Sequence, residues 1–138
     1  MSDYAARKTR PQFRNIAVWQ ILSYRLPAAG VVSILHRISG ALLFLLGLPF
    51  ALFLFDQSIT SELSFERYRD IVTRWPGKVA LVILGWAFAH HAVAGIRYLL
   101  LDVHVGITKQ GSRTSARAVL ALSLGLTLVW ALWVFDVI

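Results

Sequence analysis

Three long runs of uncharged residues dominate the chain, and short segments rich in charge separate them. The runs extend over residues 38–55, 79–96 and 118–135, and each contains 18 uncharged residues. A helix rises about 1.5 Å per residue, so about 20 apolar residues are needed to cross the hydrocarbon core of a bilayer. The pattern therefore predicts an all-α integral membrane protein with three transmembrane helices.

The polar segments between the runs complete the predicted organisation. We expect a basic cytoplasmic tail, a first transmembrane helix, an outer loop, a second transmembrane helix, a cytoplasmic loop, and a third transmembrane helix with a short outer C-terminus. Their boundaries are 1–30, 31–55, 56–78, 79–101, 102–117 and 118–138. The outer loop mixes apolar and charged residues after Ser61 and Ser64, which are possible helix caps. This favours a short amphipathic helix on the membrane surface.

The composition supports a membrane protein and excludes several other classes. Hydrophobic residues make up 57% of the chain and charged residues only 15%, whereas about 25% of residues are charged in ordinary globular proteins. The net charge of +7 resides in tails and loops between apolar runs, which is typical of membrane proteins and does not indicate nucleic-acid binding. The chain has no cysteine, so any metal or cofactor must be held by histidines or carboxylates.

The distribution of Lys and Arg predicts the orientation in the membrane. Ten of them lie in the N-terminal portion and the loop after the second helix, whereas four lie on the other side. Cytoplasmic segments carry the excess of positive charge, so we expect a cytoplasmic N-terminus and a periplasmic C-terminus in a bacterial inner membrane. The basic first 30 residues do not resemble a secretory signal, so we expect the mature chain to begin near Met1.

Two groups of ionisable residues interrupt the predicted membrane helices near their cytoplasmic ends. His36 and Arg37 lie at the start of the first helix, and His90 and His91 lie towards the end of the second. Ser33 precedes His36 and Arg37 by three and four residues, so these three side chains share one helix face. Ionisable side chains inside a membrane are costly, and they indicate a function by default.

These residues fit a flat cofactor, although a purely structural interpretation also accounts for them. Gly95 follows His91 by four residues, so it leaves room on the same face for a large flat ligand. Haem b suits such a place, and His36, Arg37 and Arg97 lie at a depth where they can meet its propionates. Alternatively, the arginines extend to the lipid headgroups and the histidines form hydrogen bonds between helices.

The spacing leaves the choice of histidine open. His90 and His91 point about 100° apart, so only one of them faces a given ligand, and periodicity does not decide between them. A low-spin electron-transfer haem usually has two axial ligands. If this chain supplies one ligand, a partner subunit supplies the other, and the chain forms half of a membrane anchor.

Two motifs resemble those of the cytochrome b556 membrane-anchor subunits of succinate dehydrogenase, the larger of the two anchors in complex II. The segment SILHRISG at 33–40 is similar to the family pattern S-I-x-H-R-x-[ST]-G. The segment HAVAGIRYLLLD at 91–102 is similar to H-x-x-x-G-[LIV]-R-H-[LM]-x-x-D. RP at 10–11 and YRLP at 24–27 also fit the family. One departure is Tyr98, where the family commonly has His; it leaves the ligand position unchanged.

The resemblance implies a role for each matching residue and a set of partners. His91 would be the axial ligand of haem b, with the second axial histidine supplied by the smaller membrane-anchor subunit. His36 and Arg37 would contact the haem propionates, and Ser33 and Arg37 would help to line the ubiquinone site. A flavoprotein subunit would carry out the succinate chemistry, an iron–sulfur subunit would complete the quinone site, and no residue of this chain would be catalytic.

Three functions follow from these observations as alternatives. The first is the succinate dehydrogenase anchor, which docks the soluble subunits on the cytoplasmic face, binds haem b and helps to reduce ubiquinone. The second is the anchor of a fumarate reductase, which has the same fold and the opposite physiological direction. The third is a three-helix membrane protein without a cofactor, in which the histidines only join helices.

Overall fold

The computed structural model describes residues 19–20 and 26–137, and every regular element within these ranges is helical. The helices are α1 (Ala28–Ile59), α2 (Glu62–Thr73), α3 (Trp75–Asp102) and α4 (Lys109–Val134). Most of the predicted tail at 1–30, including motif positions 10–11 and 24–25, lies outside the described residues.

Three of the described helices, α1, α3 and α4, are long and apolar enough to cross a membrane, which confirms the predicted fold class. They contain 32, 28 and 26 residues, which corresponds to about 48, 42 and 39 Å at helical rise. Large apolar side chains such as Phe44, Leu45, Phe88 and Leu128 are more than half exposed on their surfaces. Such an exterior suits contact with lipid.

Small residues form the packed interior between the long helices. α3 lies against both α1 and α4, and α1 and α4 also touch each other. Val32 of α1, Ala94 of α3, and Ala116 and Val119 of α4 form a common buried cluster. Small side chains let helix backbones approach closely, and this van der Waals packing holds helices together where lipid removes the hydrophobic driving force.

Polar side chains also form hydrogen bonds between α3 and α4 at three positions along α3. Arg97 donates hydrogen bonds to two serines of α4. About two turns earlier on α3, Nδ1 of His90 and Oγ of Ser123 in α4 are 3.1 Å apart. Near the start of α3, the indole N–H of Trp130 donates to the carbonyl of Leu81 at 2.9 Å. Interhelical hydrogen bonds of this kind each stabilise a membrane bundle by about 1 kcal/mol.

The winding of α1 changes near its middle, which the sequence interpretation did not anticipate. The segment Leu43–Gly47 is a π-helix, in which the N–H of Leu48 bonds to the carbonyl of Leu43. Pro49 follows directly; it has no N–H to donate, and its ring crowds the preceding turn. The wider π turn accommodates one extra residue per turn, so α1 continues past the proline without breaking.

Two helices begin at polar caps that fix their boundaries. The hydroxyl of Ser61 accepts from the N–H of Ser64 at 3.1 Å, and the hydroxyl of Ser64 accepts from the N–H of Ser61 at 2.9 Å. This reciprocal pair starts α2 inside the segment 56–78. Thr108 accepts from the N–H of Gly111 at 3.0 Å and starts α4. Most of the segment 102–117, which we expected as a loop, is therefore helical.

Candidate functional site

The predicted site residues of α1 and α3 meet where the two helices pack together. The imidazole rings of His36 and His91 stack face to face, with centroids 4.2 Å apart and planes 10° apart. Nδ1 of His91 lies 3.1 Å from the backbone carbonyl oxygen of His36. The two histidines therefore form one contact although they are 55 residues apart in sequence.

The surrounding hydrogen bonds assign the protonation of the His91 ring. A carbonyl oxygen can only accept, so Nδ1 of His91 carries the proton and donates it to the carbonyl of His36. The hydroxyl of Ser39 donates to the same carbonyl at 2.9 Å and lies 3.3 Å from Nδ1. Within the described residues, Nε2 of His91 is neither buried nor hydrogen-bonded, so its lone pair is available to a ligand.

Two glycines beside the histidines have different surroundings. A Cβ at Gly40 would lie 2.9 Å from Cε1 and 3.3 Å from Nδ1 of His91, so only glycine allows the His91 ring to approach α1 this closely. A Cβ at Gly95 would meet only Nε2 of His36, at 3.7 Å. A side chain at position 95 would therefore begin in ordinary contact with His36.

Ser39 and Gly40 are parts of the site that the sequence analysis did not single out. Both belong to the 33–40 motif, and they follow His36 by three and four residues, so they lie on its helix face. That spacing was visible in the sequence. The sequence did not show that Ser39 and Gly40 contact His91, because His91 belongs to another helix.

His90 has a different environment from its neighbour. Its side chain is 0% exposed, its Nδ1 lies 3.1 Å from Oγ of Ser123 in α4, and its ring stacks on Trp86 with centroids 5.7 Å apart. A cofactor outside this three-helix unit could not reach it. Of the two histidines that the sequence left open, only His91 has an accessible ring nitrogen.

Tyr98 and Arg97 extend the cluster towards the end of α3. The ring of Tyr98 packs against His36 with centroids 5.1 Å apart, and the guanidinium carbon of Arg97 lies 5.3 Å from the Tyr98 ring centroid. The Tyr98 hydroxyl is buried and has no hydrogen-bond partner among the described residues. Tyr98 thus keeps an aromatic contact where the resembling family commonly has a histidine.

Arg97 does not lie with the other expected propionate cations. It is only 5% exposed, and it donates to Oγ of Ser115 at 3.0 Å and to Oγ and the carbonyl of Ser112 at 3.1 and 3.3 Å. Its guanidinium therefore joins α3 to α4.

Ser33 and Arg37 lie on α1 but do not touch the histidine pair. Ser33 is half-buried and Arg37 is exposed. Neither side chain hydrogen-bonds to His36 or His91 in the part of the chain that the structure describes. Of the three residues that share this helix face, His36 makes a ring contact with α3 among the described residues.

Known proteins resemble the chain over most of its length. Residues 6–130 match the family model described as succinate dehydrogenase/fumarate reductase transmembrane subunit. The chain is 31% identical to the succinate dehydrogenase cytochrome b556 subunit of Paracoccus denitrificans over 106 residues, 77% of this chain and 81% of the relative. It is 29% identical to that of Coxiella burnetii over 117 residues, 83% and 92% of the two chains. With that of Rickettsia felis it shares 28% over 111 residues, 80% and 84%.

Proposed function

The chain belongs to the succinate dehydrogenase/fumarate reductase transmembrane subunit family, and from this premise we propose that it is the haem-binding anchor of a succinate dehydrogenase. It shares haem b with a smaller anchor subunit and helps to form the site where ubiquinone is reduced. One observation carries the proposal: His91 donates its Nδ1–H to a backbone carbonyl, and its Nε2 stays free.

The residues around His91 fit an axial ligand of haem. Histidines that bind a metal through one nitrogen almost always donate the other N–H to a carbonyl, a carboxylate or water, which fixes the tautomer and the ring orientation. The carbonyl of His36 and the hydroxyl of Ser39 serve that purpose here. Gly95, one turn after His91, carries no side chain, and this would leave room for the edge of a porphyrin. When bound, the haem supplies one-electron transfer.

A second ligand of the haem iron would come from another chain. The rings of His36 and His91 are in face-to-face contact, so no porphyrin fits between them and His36 cannot bind the opposite side of the same iron. His90 is buried against α4. A histidine of the smaller anchor subunit is therefore the proposed partner.

We assign the propionate contacts to His36 and Arg37. Nε2 of His36 lies beside Gly95, 3.7 Å from where a Cβ would stand, and it would donate to a propionate oxygen. Arg37 is exposed next to it on α1 and has no ion pair among the described residues. A guanidinium binds a carboxylate in a bidentate, charge-assisted manner.

The quinone site would use Ser33 and Arg37 at the start of α1. Both side chains are free of hydrogen bonds to the histidine pair, so both are available to a quinone carbonyl. A hydroxyl and a guanidinium supply the donors that a carbonyl needs, and the fixed positive charge stabilises negative charge that develops on the oxygen during reduction. The iron–sulfur subunit and the smaller anchor would provide the remaining walls, and the flavoprotein subunit would supply the electrons from succinate.

Specific observations support two alternative functions. The matching family includes fumarate reductase, whose anchor would use the same residues in the opposite direction; the names of the three relatives favour succinate dehydrogenase. A cofactor-free structural protein is favoured only by the fact that His91 already forms a hydrogen bond between helices.

A reduced-minus-oxidised absorbance spectrum of the purified native complex, with its subunits identified, tests the proposal. We expect a low-spin b-type spectrum together with a flavin and an iron–sulfur subunit. His91→Ala should remove the haem signal, whereas the matched variant His90→Ala should retain most of it. Equal loss in both variants would contradict the assignment of His91, and a wild-type complex without haem would refute haem binding altogether.

A further inference from the structure

The two adjacent histidines of α3 contact their neighbours differently: His91 contacts α1, whereas His90 lies against Ser123 of α4 and also near the backbone of Val32 in α1. His91 makes its hydrogen bond and its ring stack with α1. His90 forms its interhelical hydrogen bond with Ser123 of α4. Consecutive helical residues point about 100° apart, so these two contacts fix the rotation of α3 about its own axis from two directions.

The His90 ring is buried between helices, with Nδ1 beside Ser123 and with Nε2 buried and without a hydrogen-bond partner among the described residues. Both His90 and Ser123 are buried, at 0% and 1% exposure. The Ser123 hydroxyl lies 3.2 Å from the carbonyl of Leu120 and 3.1 Å from Nδ1 of His90, so it can link the His90 ring to the backbone of α4. Trp86, one turn earlier on α3, stacks on the His90 ring. A polar pair enclosed by apolar residues has no water to replace its hydrogen bond, so it holds one geometry.

A small rotation of α3 would move the His91 ring by a large distance. The outer atoms of a helical side chain lie about 6 Å from the helix axis, so a rotation of about 20° displaces them by about 2 Å. Ligand and catalytic groups must be held within about 0.5 Å and 10–20° to act. The hydrogen bond and the stack with His36 hold the His91 ring against α1, and the contact of His90 with Ser123 adds a restraint from the side of α4.

We propose that His90 and Ser123 are positioning residues for the haem site: they set the rotation of α3 and thereby aim Nε2 of His91 at the iron. This inference rests on the proposed function of His91. The inference gives α4 a role in the haem site, although no residue of α4 is proposed to bind haem. The other two hydrogen-bonded contacts between α3 and α4 lie farther from His91 along α3. At helical rise, Arg97 is about 9 Å from His91 and Leu81 is about 15 Å from it.

The test uses the whole complex and four variants. Ser123→Ala and His90→Leu remove the hydrogen bond, and His90→Asn keeps a polar nitrogen near the position of Nδ1. Trp130→Phe is the matched control, because it removes another hydrogen bond between α3 and α4, to the carbonyl of Leu81, without touching His90. The readouts are the EPR spectrum of the oxidised haem, the haem midpoint potential and the rate of haem transfer to a soluble haem acceptor. The largest EPR g value reports the angle between the two axial ligand planes.

We expect Ser123→Ala and His90→Leu to shift the g value and the midpoint potential and to speed haem transfer by up to about ten-fold, the lower range for loss of a residue that orients a metal ligand. His90→Asn should restore most of the wild-type spectrum. Trp130→Phe should lower the thermal stability of the complex but leave the g value unchanged.

Two results would overturn the inference: a wild-type g value and potential in Ser123→Ala, or equal shifts in Ser123→Ala and Trp130→Phe. The His91→Ala complex separates this failure from failure of the proposed function. If His91→Ala retains the wild-type haem spectrum, then His91 is not the ligand, and both proposals fall. If His91→Ala loses haem but Ser123→Ala keeps the wild-type g value and midpoint potential, then His91 is still supported as the ligand. In that case, the positioning role of His90 and Ser123 is wrong.

Discussion

At the scale of single residues, position around the helix axis decides what a histidine can do. His90 and His91 are adjacent and chemically identical, yet His90 is enclosed between helices and His91 keeps an accessible Nε2. The difference comes from the neighbours that α1 and α4 present. Gly40 permits the His91 ring to reach α1, and Ser123 offers His90 a buried oxygen.

Gly40→Ala tests the close approach of His91 to α1. The new methyl group would lie 2.9 Å from Cε1 of His91, and we expect overpacking to cost about 1–3 kcal/mol and to reduce haem content. Gly125→Ala is the control, because no atom lies within 4 Å of its Cβ position and alanine favours a helix by about 1 kcal/mol. Thermal unfolding in detergent and the haem-to-protein ratio measure both effects. Equal behaviour of the two variants would contradict the packing argument.

Ser33→Ala and Arg37→Ala test the quinone assignment. Each removes a donor from the exposed start of α1, and loss of one donor to developing charge slows a reaction by about 100-fold or more. We expect succinate:quinone reductase activity to fall while electron transfer to a soluble artificial acceptor survives. Parallel loss of both activities would indicate faulty assembly. Ser58→Ala, which alters a serine bonded only within α1, should leave both activities unchanged.

At the scale of helices, polar groups at the ends and at irregular turns determine where each element begins and how it continues. α2 starts at a reciprocal serine pair, α4 starts at Thr108, and α1 passes Pro49 through a π turn. In each case, backbone groups that the helix leaves unpaired find a partner nearby. The boundaries follow these caps more closely than they follow the apolar runs.

Ser61→Ala should loosen the start of α2. It removes the oxygen that accepts from the N–H of Ser64, and loss of such a cap costs about 1 kcal/mol. We expect faster hydrogen exchange over the first turn of α2, with no change in haem content. If exchange in that turn stays at the wild-type rate, the capping pair contributes nothing to the helix.

At the scale of the whole molecule, the chain is built as one part of a larger assembly. Its exterior carries large apolar side chains along all three long helices, and its interior is small and partly polar. Nε2 of His91 has no hydrogen bond among the described residues, and Arg37 is exposed on α1. Such a surface suits a subunit that contacts lipid and other chains of a membrane complex.

The orientation in the membrane is open to a direct test. The excess of basic residues on the N-terminal side predicts a cytoplasmic N-terminus and a periplasmic C-terminus. Alkaline phosphatase fused after Ile138 should be active and a fluorescent protein at the same place dark, whereas fusions in the α3–α4 connection should give the reverse. An active phosphatase in the α3–α4 connection would invert the proposed topology and place the quinone site on the wrong side.

The sequence by itself determined the fold class and the number of helices long enough to cross a membrane. Uninterrupted apolar length is a local property, because every backbone polar group in a membrane must be satisfied within its own helix. The motifs at 33–40 and 91–102 pointed to the family, and the comparisons confirmed it. Helix ends were less certain, because α4 begins at Lys109 inside an expected loop.

Only the tertiary structure decided how the site residues are arranged. Spacing could not separate His90 from His91, because the rotation of α3 depends on what its neighbours offer. It also missed the close approach at Gly40 and the turn of Arg97 towards α4. The physical reason is that each of these contacts joins residues from two helices. A single sequence shows which side chains share a face, but only packing shows what that face meets.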